Sequence, residues 1–150
     1  MEYPDPQTAA SVWQRVQGKP ADPPALDILS FLQEESVDLS RYLQLQSVID
    51  SRQKALIQSL IQKTRSCVFL LRGIAYLQFD TLPETRTYPL PKELPPSSLR
   101  RLYVDTLRRG NRYAQWRNDS AYGIAFTQLE TESHERCVLL LQLIGHKNAM

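Results

Sequence analysis

The sequence predicts an all-α domain built from four helices, and three observations lead to this fold class. Apolar side chains recur at spacings of three and four along four stretches of the chain, the pattern of an amphipathic helix. All ten prolines lie outside these stretches, before residue 25 or between residues 80 and 96. The 150 residues can bury one sizeable core, and no stretch shows the strands that an α/β enzyme requires.

The first two helices are predicted over 25–47 and 51–79. Asp50 and Ser51 are both suitable N-caps for the second helix, whose apolar face continues for more than six turns. The inward face of the first helix is predicted to carry Leu26, Leu29, Phe31, Leu32, Glu35, Leu39, Tyr42, Leu43 and Leu45.

A proline-rich connection over 80–96 is predicted to be an extended crossover, since it exceeds the usual loop length in a bundle. A crossover of this length joins parallel neighbours, so the second and third helices are expected to run in the same direction. The third helix is predicted over 97–117. Gly110 lies in its interior at a cost of about 1 kcal/mol relative to alanine, which predicts the close approach of a neighbouring backbone.

The fourth helix is predicted over 120–145, with Ser120 as a capping residue and Gly145 as the residue that ends it. The five prolines before residue 25 predict an irregular N-terminal lead-in over 1–24, in which Trp13 could dock on the bundle. The domain division is therefore 1–24 for the lead-in and 25–150 for the bundle.

Composition narrows the classes of partner. The net charge of +2 provides no field that indicates nucleic acid, and the apolar stretches are too short to span a bilayer. Cys67 and Cys137 lie in helical stretches without zinc-site spacing, which predicts reduced, half-buried thiols. The N-terminus lacks the basic start and apolar run of a signal peptide. A soluble cytoplasmic protein is expected, with no membrane partner.

An internal repeat relates the two halves of the bundle. Glu35 and Tyr42 are seven residues apart in the first helix, as Thr106 and Tyr113 are in the third. The second and fourth helices share another spacing, carried by Leu60, Thr64 and Cys67 in one and by Leu129, Ser133 and Arg136 in the other. The chain therefore divides into two related helical hairpins, 25–79 and 97–145.

These features resemble the ferritin-like and rubrerythrin-like superfamily, in particular small bacterial members that open with a Trp-Gln-Arg-Val type segment, here within 12–16. The resemblance implies a ferritin-like four-helix bundle with the long crossover between helices 2 and 3. In that family each hairpin supplies a Glu and then a Glu-x-x-His pair to a di-iron centre. The matching positions here are Glu35, Thr64, Cys67, Thr106, Ser133 and Arg136, of which Glu35 alone carries a family ligand.

A register shifted by one residue would instead bring Glu132 or His134 inward. Such a shift rotates a helical side chain by about 100° and would turn Leu129 and Leu140 toward solvent. Even then the second helix would supply no carboxylate, because no Asp or Glu occurs from residue 51 to residue 79. The six positions are therefore predicted to be vestigial metal-site positions that hold no di-iron centre.

We expect Glu35 and Arg136 to pair in the interior, with the hydroxyls of Thr64, Thr106 and Ser133 on the remaining lone pairs of the carboxylate. Tyr42 and Tyr113 are expected to fill the interior of the bundle. The six arginines of the third helix favour a solvated face over a phosphate or acidic-partner site; they are Arg100, Arg101, Arg108, Arg109, Arg112 and Arg117.

Two functions follow from this interpretation. One is a cofactor-free, non-catalytic interaction or structural module that binds an unknown protein partner or self-associates. The other is a ferritin-like metal-binding redox protein with unconventional ligands such as Glu35, Cys67 and His134.

Overall fold

The computed structural model describes residues 25–79, 97–118 and 121–148, and four long helices account for most of them. No strand occurs within these three ranges, which confirms the predicted all-α class. The predictions for 1–24, for the crossover at 80–96 and for the Ser120 cap fall outside them. The helices are α1 (Ala25–Gln46), α2 (Lys54–Phe79), α3 (Ser97–Trp116) and α4 (Gly123–Asn148), and a short 3-10 helix (Ser51–Gln53) precedes α2.

The boundaries of α1 and α3 agree with the predicted ones within one residue, whereas α2 begins three residues later, after the 3-10 helix, and α4 begins and ends three residues later. Asp50 caps the 3-10 helix, since its carboxylate accepts a hydrogen bond from the backbone N–H of Arg52. The predicted stop at Gly145 is wrong, because α4 continues to Asn148. A glycine inside a helix costs about 1 kcal/mol and does not by itself end the helix, and Leu143 and Ile144 still pack against the core at this point.

Two hydrophobic clusters fill the interior at different heights along the bundle. The first cluster consists of Ile28, Phe31, Leu32, Cys67, Val68, Leu71, Ile74, Ala75, Tyr113, Phe126 and Leu129. The second cluster consists of Tyr42, Leu45, Ile57, Leu60, Ile61, Leu99, Leu102, Leu140 and Leu143. Each of the four helices contributes to both clusters, so every helix crosses the same interior.

The order in which each helix meets the clusters gives its direction. Ile57 of α2 and Leu99 of α3 lie in the second cluster, whereas Ile74 and Tyr113, farther along the same helices, lie in the first. Helices α1 and α4 pass through the clusters in the opposite order. Helices α2 and α3 therefore run in the same direction, and α1 packs against α2 and α3 against α4 as antiparallel hairpins.

The inward face of α1 is narrower than predicted. Leu29 and Leu43 are exposed, although the spacing pattern assigned them to the interior. The predicted Phe31 and Tyr42 are buried, and Ile28, which the prediction left out, is buried with them. Leu29 directly follows Ile28, and successive residues point about 100° apart on a helix.

Gly110 marks a close contact between α3 and α4, and side-chain atoms make this contact rather than the predicted neighbouring backbone. A Cβ atom at this position would lie 3.1 Å from the Cβ atom of Ser133 and 3.4 Å from Cδ2 of His134. Gly73 of α2 is also within a helix, but nothing lies within 4 Å of the corresponding position. The two glycines therefore differ in what a side chain would meet.

Alanine is expected to act differently at the two glycines. Gly73→Ala should raise the free energy of unfolding by about 1 kcal/mol, because alanine has the higher helix propensity and meets no neighbour. Gly110→Ala should gain less or lose stability, since α4 must shift by a few tenths of an ångström. Urea denaturation of both variants measures the difference, and equal gains would contradict the close contact.

The apolar content of the described helices also bears on membranes. None of the helices in the described ranges combines the length and the mean hydropathy that are required to cross a bilayer. This finding agrees with the sequence-based expectation of no membrane-spanning segment.

Candidate functional site: a buried charged cluster

The structure places the predicted site residues in the interior. The side chains of the six positions predicted to be a vestigial metal site and of the two tyrosines are completely buried; they are Glu35, Thr64, Cys67, Thr106, Ser133, Arg136, Tyr42 and Tyr113. Glu132 and His134, which a shifted register would turn inward, lie at the boundary and on the surface. The predicted register of α4 is therefore confirmed.

Glu35 and Arg136 form a bidentate ion pair across the bundle. The Arg136 guanidinium donates from Nη1 to Glu35 Oε2 at 2.6 Å and from Nη2 to Glu35 Oε1 at 2.8 Å. Both side chains have no exposed surface. The predicted pairing is confirmed, and its geometry is the parallel two-bond arrangement that makes arginine–carboxylate pairs strong.

The hydroxyl groups have a different role from the predicted one. Thr64 Oγ1 and Ser133 Oγ accept hydrogen bonds from Arg136 at 3.3 and 3.2 Å, and neither contacts Glu35. Cys67 Sγ lies 3.5 Å from Arg136 Nη2 and also accepts from it. Thr64 donates its own proton to the Leu60 carbonyl at 2.7 Å, which leaves its lone pairs free for the guanidinium.

The other polar partners of the Glu35 carboxylate come from α3 and are not threonine or serine hydroxyls. The Tyr113 hydroxyl donates to Glu35 Oε1 at 2.8 Å, and Arg109 Nη1 lies 3.0 Å from the same oxygen. Thr106 does not contact the carboxylate, because its hydroxyl lies close to that of Tyr42 instead. The prediction that Thr106 satisfies Glu35 is therefore wrong.

Arg109 and Asp38 are the members that the sequence interpretation missed. Arg109 Nη2 donates to Asp38 Oδ2 at 2.8 Å, and both side chains are almost fully buried. The prediction of a solvated arginine face on the third helix is therefore wrong at Arg109. A spacing signal existed, since Asp38 follows Glu35 by three residues and Arg109 precedes Tyr113 by four, which puts each on the interior face.

We call Glu35, Asp38, Arg109 and Arg136 the charged cluster. It lies between the two hydrophobic clusters and contains two carboxylates and two guanidinium groups, so its formal charges cancel. At its outer edge Arg112 donates to both oxygens of Glu34 at 3.0 and 2.9 Å, and its guanidinium stacks 4.5 Å from the centroid of Phe31. Burial without mutual pairing would be very costly for these charges.

The two carboxylates have opposite pKa shifts. Burial raises the pKa of Glu35, but the charges of Arg136 and Arg109 and the hydrogen bonds from Arg136 and Tyr113 outweigh it, and the pKa is about 2. Burial also raises the pKa of Asp38, and the attraction of Arg109 does not fully offset it. Glu35 is therefore the firmly ionised anion at the centre of the charged cluster.

The remaining titratable groups in the interior are held in their neutral forms. Burial and the nearby Glu35 charge raise the pKa of the Cys67 thiol, and burial raises the pKa of the hydroxyls of Tyr42 and Tyr113. A thiol must become a thiolate to act as a nucleophile or metal ligand. The environment of Cys67 favours a structural thiol that accepts a hydrogen bond from Arg136.

The alternative ligand set of Glu35, Cys67 and His134 is not brought together. His134 is exposed and lies over Gly110 on the outer side of the contact between α3 and α4, whereas Glu35 and Cys67 are buried at the guanidinium of Arg136. Among the residues of the three described ranges, no group of three or more His, Cys, Asp or Glu side chains could hold a metal ion.

Acid is expected to weaken the fold through Glu35. A carboxyl whose pKa is lower in the folded state than in the unfolded state stabilises the fold above the unfolded pKa, and this stability is lost as pH falls to the folded pKa. For Glu35 the window runs from 4.5 down to about 2 and the loss is roughly 3 kcal/mol, partly offset by the raised pKa of Asp38.

Urea denaturation at a series of pH values across this window measures the loss. The matched control is the double variant Glu35→Leu with Arg136→Met, which removes the titrating carboxylate and its main partner together. The wild type should lose stability more steeply with acid than this variant. Equal slopes would contradict the low pKa of Glu35.

Known proteins provide no assignment for this chain. No protein-family model matches it, and neither a curated protein nor a solved structure matches it. The geometry of the charged cluster and of the surface therefore carries the functional interpretation.

Proposed function

We propose that this chain is a ferritin-like bundle in which the charged cluster replaces the di-iron centre, and that it acts as a non-catalytic interaction or structural module. Cys67, Arg136 and the matched positions of the internal repeat then mark the vestigial metal site. The bundle would be kept for its surface and its stability rather than for redox chemistry.

The topology of the helices supports the ferritin-like part of this proposal. The parallel direction of α2 and α3 is what a long crossover between the second and third helices of such a bundle requires. The six positions matched by the internal repeat are all completely buried between the four helices. In a ferritin-like bundle the metal ligands project into this same space.

One observation carries the proposal of a non-catalytic module: the guanidinium of Arg136 already binds the carboxylate of Glu35. Both oxygens of this one remaining family carboxylate already accept hydrogen bonds from a guanidinium that is permanently charged. A di-iron centre needs several carboxylates to neutralise and bridge two cations. The guanidinium groups of Arg109 and Arg136 would instead repel a cation entering this space.

Metal analysis of purified protein tests the proposal. After expression with added iron, manganese or zinc, we expect no stoichiometric metal, and added Fe(II) in air should produce no oxo-bridged absorbance. Stoichiometric metal that is lost in Glu35→Gln and Cys67→Ala would overturn the proposal and favour a redox protein with unconventional ligands.

A restored variant provides the positive control. It carries the family ligands at the five changed positions, through Thr64→Glu, Cys67→His, Thr106→Glu, Ser133→Glu and Arg136→His. If the matched positions are correct, this variant should bind iron and show the oxo-bridged absorbance, since four carboxylates and two imidazoles then face one interior. A helical variant that binds no iron would contradict the assignment of these positions.

A further inference from the structure

An exposed apolar surface lies along the outside of α2 and the first turn of α4. Phe69 is 78% exposed and Ile124 is 90% exposed, which is high for side chains of this size. Tyr76 and Leu77 are also largely exposed, at 49% and 69%. We call these four residues the α2–α4 patch. Clustered exposed apolar side chains of this kind mark interaction sites on soluble domains.

Helical spacing and a shared cavity connect the two parts of the α2–α4 patch. Phe69 and Tyr76 are seven residues apart and lie on one outward line of α2. Leu77 is seven residues beyond Leu70, and Leu70 and Ile124 line the same open cavity of about 590 Å³ between α2 and α4. Leu70 and Ile124 therefore face one groove, and Phe69 and Tyr76 lie on the neighbouring, outer line of α2. An apolar groove of this kind can receive an amphipathic helix.

Among the described residues of α2 and the first turn of α4, the charged side chains beside the α2–α4 patch are positive. No acidic residue occurs from residue 51 to residue 79, and the first turn of α4 carries none either. Arg65 is exposed and Arg72 is half-buried beside Phe69, and neither forms an ion pair with a described residue. Arg117 lines the cavity from the end of α3 and is already paired with Glu130.

The positive charges distinguish two partners that could bind in the groove, a second copy of this chain and an acidic helix of another protein. A second copy that docked by the same face would bring Arg65 and Arg72 of both chains together, and α2 supplies no acid to compensate them. A partner helix with acidic residues beside its apolar stripe would pair with both arginines and fill the cavity. Like-charge contacts disfavour the symmetric arrangement, and opposite charges favour the partner.

We infer that the α2–α4 patch binds an acidic amphipathic helix of a partner protein. This inference rests on the proposed function, because it specifies the surface and the partner class of an interaction module. The apolar anchors of the partner would lie over Phe69 and in the cavity beside Ile124. Its carboxylates would face Arg65 and Arg72.

Two synthetic peptides and the full chain test the inference. Both peptides have about 20 residues and the same leucine stripe at helical spacing, but one has glutamate and the other lysine beside the stripe. In fluorescence anisotropy the glutamate peptide should bind at least about tenfold more tightly. Arg65→Glu with Arg72→Glu should reverse this preference, and added salt should weaken the binding of the glutamate peptide.

Matched surface variants locate the binding site. Phe69→Ser and Ile124→Ser should each weaken binding of the glutamate peptide by about tenfold, since they remove exposed apolar anchors without opening the core. Val138→Ser and Leu141→Ser change two exposed apolar side chains of α4 outside the patch and should leave binding unchanged. Circular dichroism checks that all four variants remain helical.

Several outcomes would overturn the inference. Equal affinity for the two peptides would exclude an acidic helix at this surface. The same conclusion would follow if the Val138 and Leu141 variants lost as much affinity for the glutamate peptide as the Phe69 and Ile124 variants. Binding to phosphatidylglycerol vesicles but not to the glutamate peptide would assign the patch to a lipid surface. A dimer in sedimentation equilibrium that Phe69→Ser dissociates would assign it to a second copy. None of these outcomes changes the metal content, so failure here is distinguishable from failure of the proposed function.

Discussion

Arg136→Ala is expected to lower the free energy of unfolding by roughly 3–5 kcal/mol, the scale for breaking one side of a buried ion pair. The variant leaves Glu35 with Tyr113 and Arg109 but without its bidentate partner. It also removes the donor on which Thr64, Cys67 and Ser133 depend. Urea denaturation at neutral pH measures the change, and a loss of less than about 1 kcal/mol would contradict the role of the pair.

Two controls separate the charge from the packing. The double variant Glu35→Leu with Arg136→Met replaces both partners by apolar side chains and should cost much less than Arg136→Ala, because no buried charge loses its partner. Arg117→Ala breaks a bidentate pair with Glu130 in which Arg117 is about half exposed, and it should cost no more than about 1 kcal/mol. If the double variant were as unstable as Arg136→Ala, the lost stability would come from altered packing and not from an unpaired charge.

Much of the scaffold could be predicted from the sequence because one signal recurs along each helix. Apolar spacing located four helices within a few residues, and the internal repeat placed Thr64, Ser133 and Arg136 in the interior. These predictions depend on local periodicity, which a single helix expresses without reference to its neighbours. The end of α4 was wrong because a glycine stop depends on what packs beyond it.

The charged cluster could be predicted only in part, and the reason is that its members come from different helices. Arginine and aspartate are almost always exposed unless they are paired, so residue type favours the surface for Arg109 and Asp38 although helical spacing puts both on the interior face. Their pairing joins positions 71 residues apart, and neither side chain indicates the other through local spacing. The Glu35 and Arg136 pair was predictable because the repeat had already placed both residues in one interior space.

The hydrogen-bond partners inside the charged cluster were the least predictable feature. Tyr113 and Thr106 both lie on the interior side of α3, and spacing could not show which hydroxyl reaches Glu35. The longer phenol reaches the carboxylate at 2.8 Å, whereas the short Thr106 side chain stays beside Tyr42. The length and the rotamer of each side chain decide which hydroxyl bonds the carboxylate, and the rotamer depends on how the helices pack.

The second large effect is expected at Arg109. Arg109→Met keeps most of the buried side-chain volume but removes the only described ion-pair partner of Asp38, and it should lower the free energy of unfolding by roughly 3–5 kcal/mol at about pH 8. Arg101→Met is the matched control on the same helix. Its side chain is 78% exposed and its ion pair with Asp105 is 4.0 Å long, so this change should cost well below 1 kcal/mol.

The deficit of Arg109→Met should also depend on pH through Asp38. Burial already raises the pKa of this carboxyl above 3.8, and loss of the opposing Arg109 charge must raise it further. A carboxyl with a raised folded pKa binds its proton more tightly in the folded state, so stability falls as pH rises from the unfolded to the folded pKa. The variant should therefore be less impaired at about pH 5 than at about pH 8. Adding Asp38→Asn should abolish this dependence and recover stability at the higher pH, and a deficit that is the same at both pH values would show that Asp38 is not the uncompensated charge.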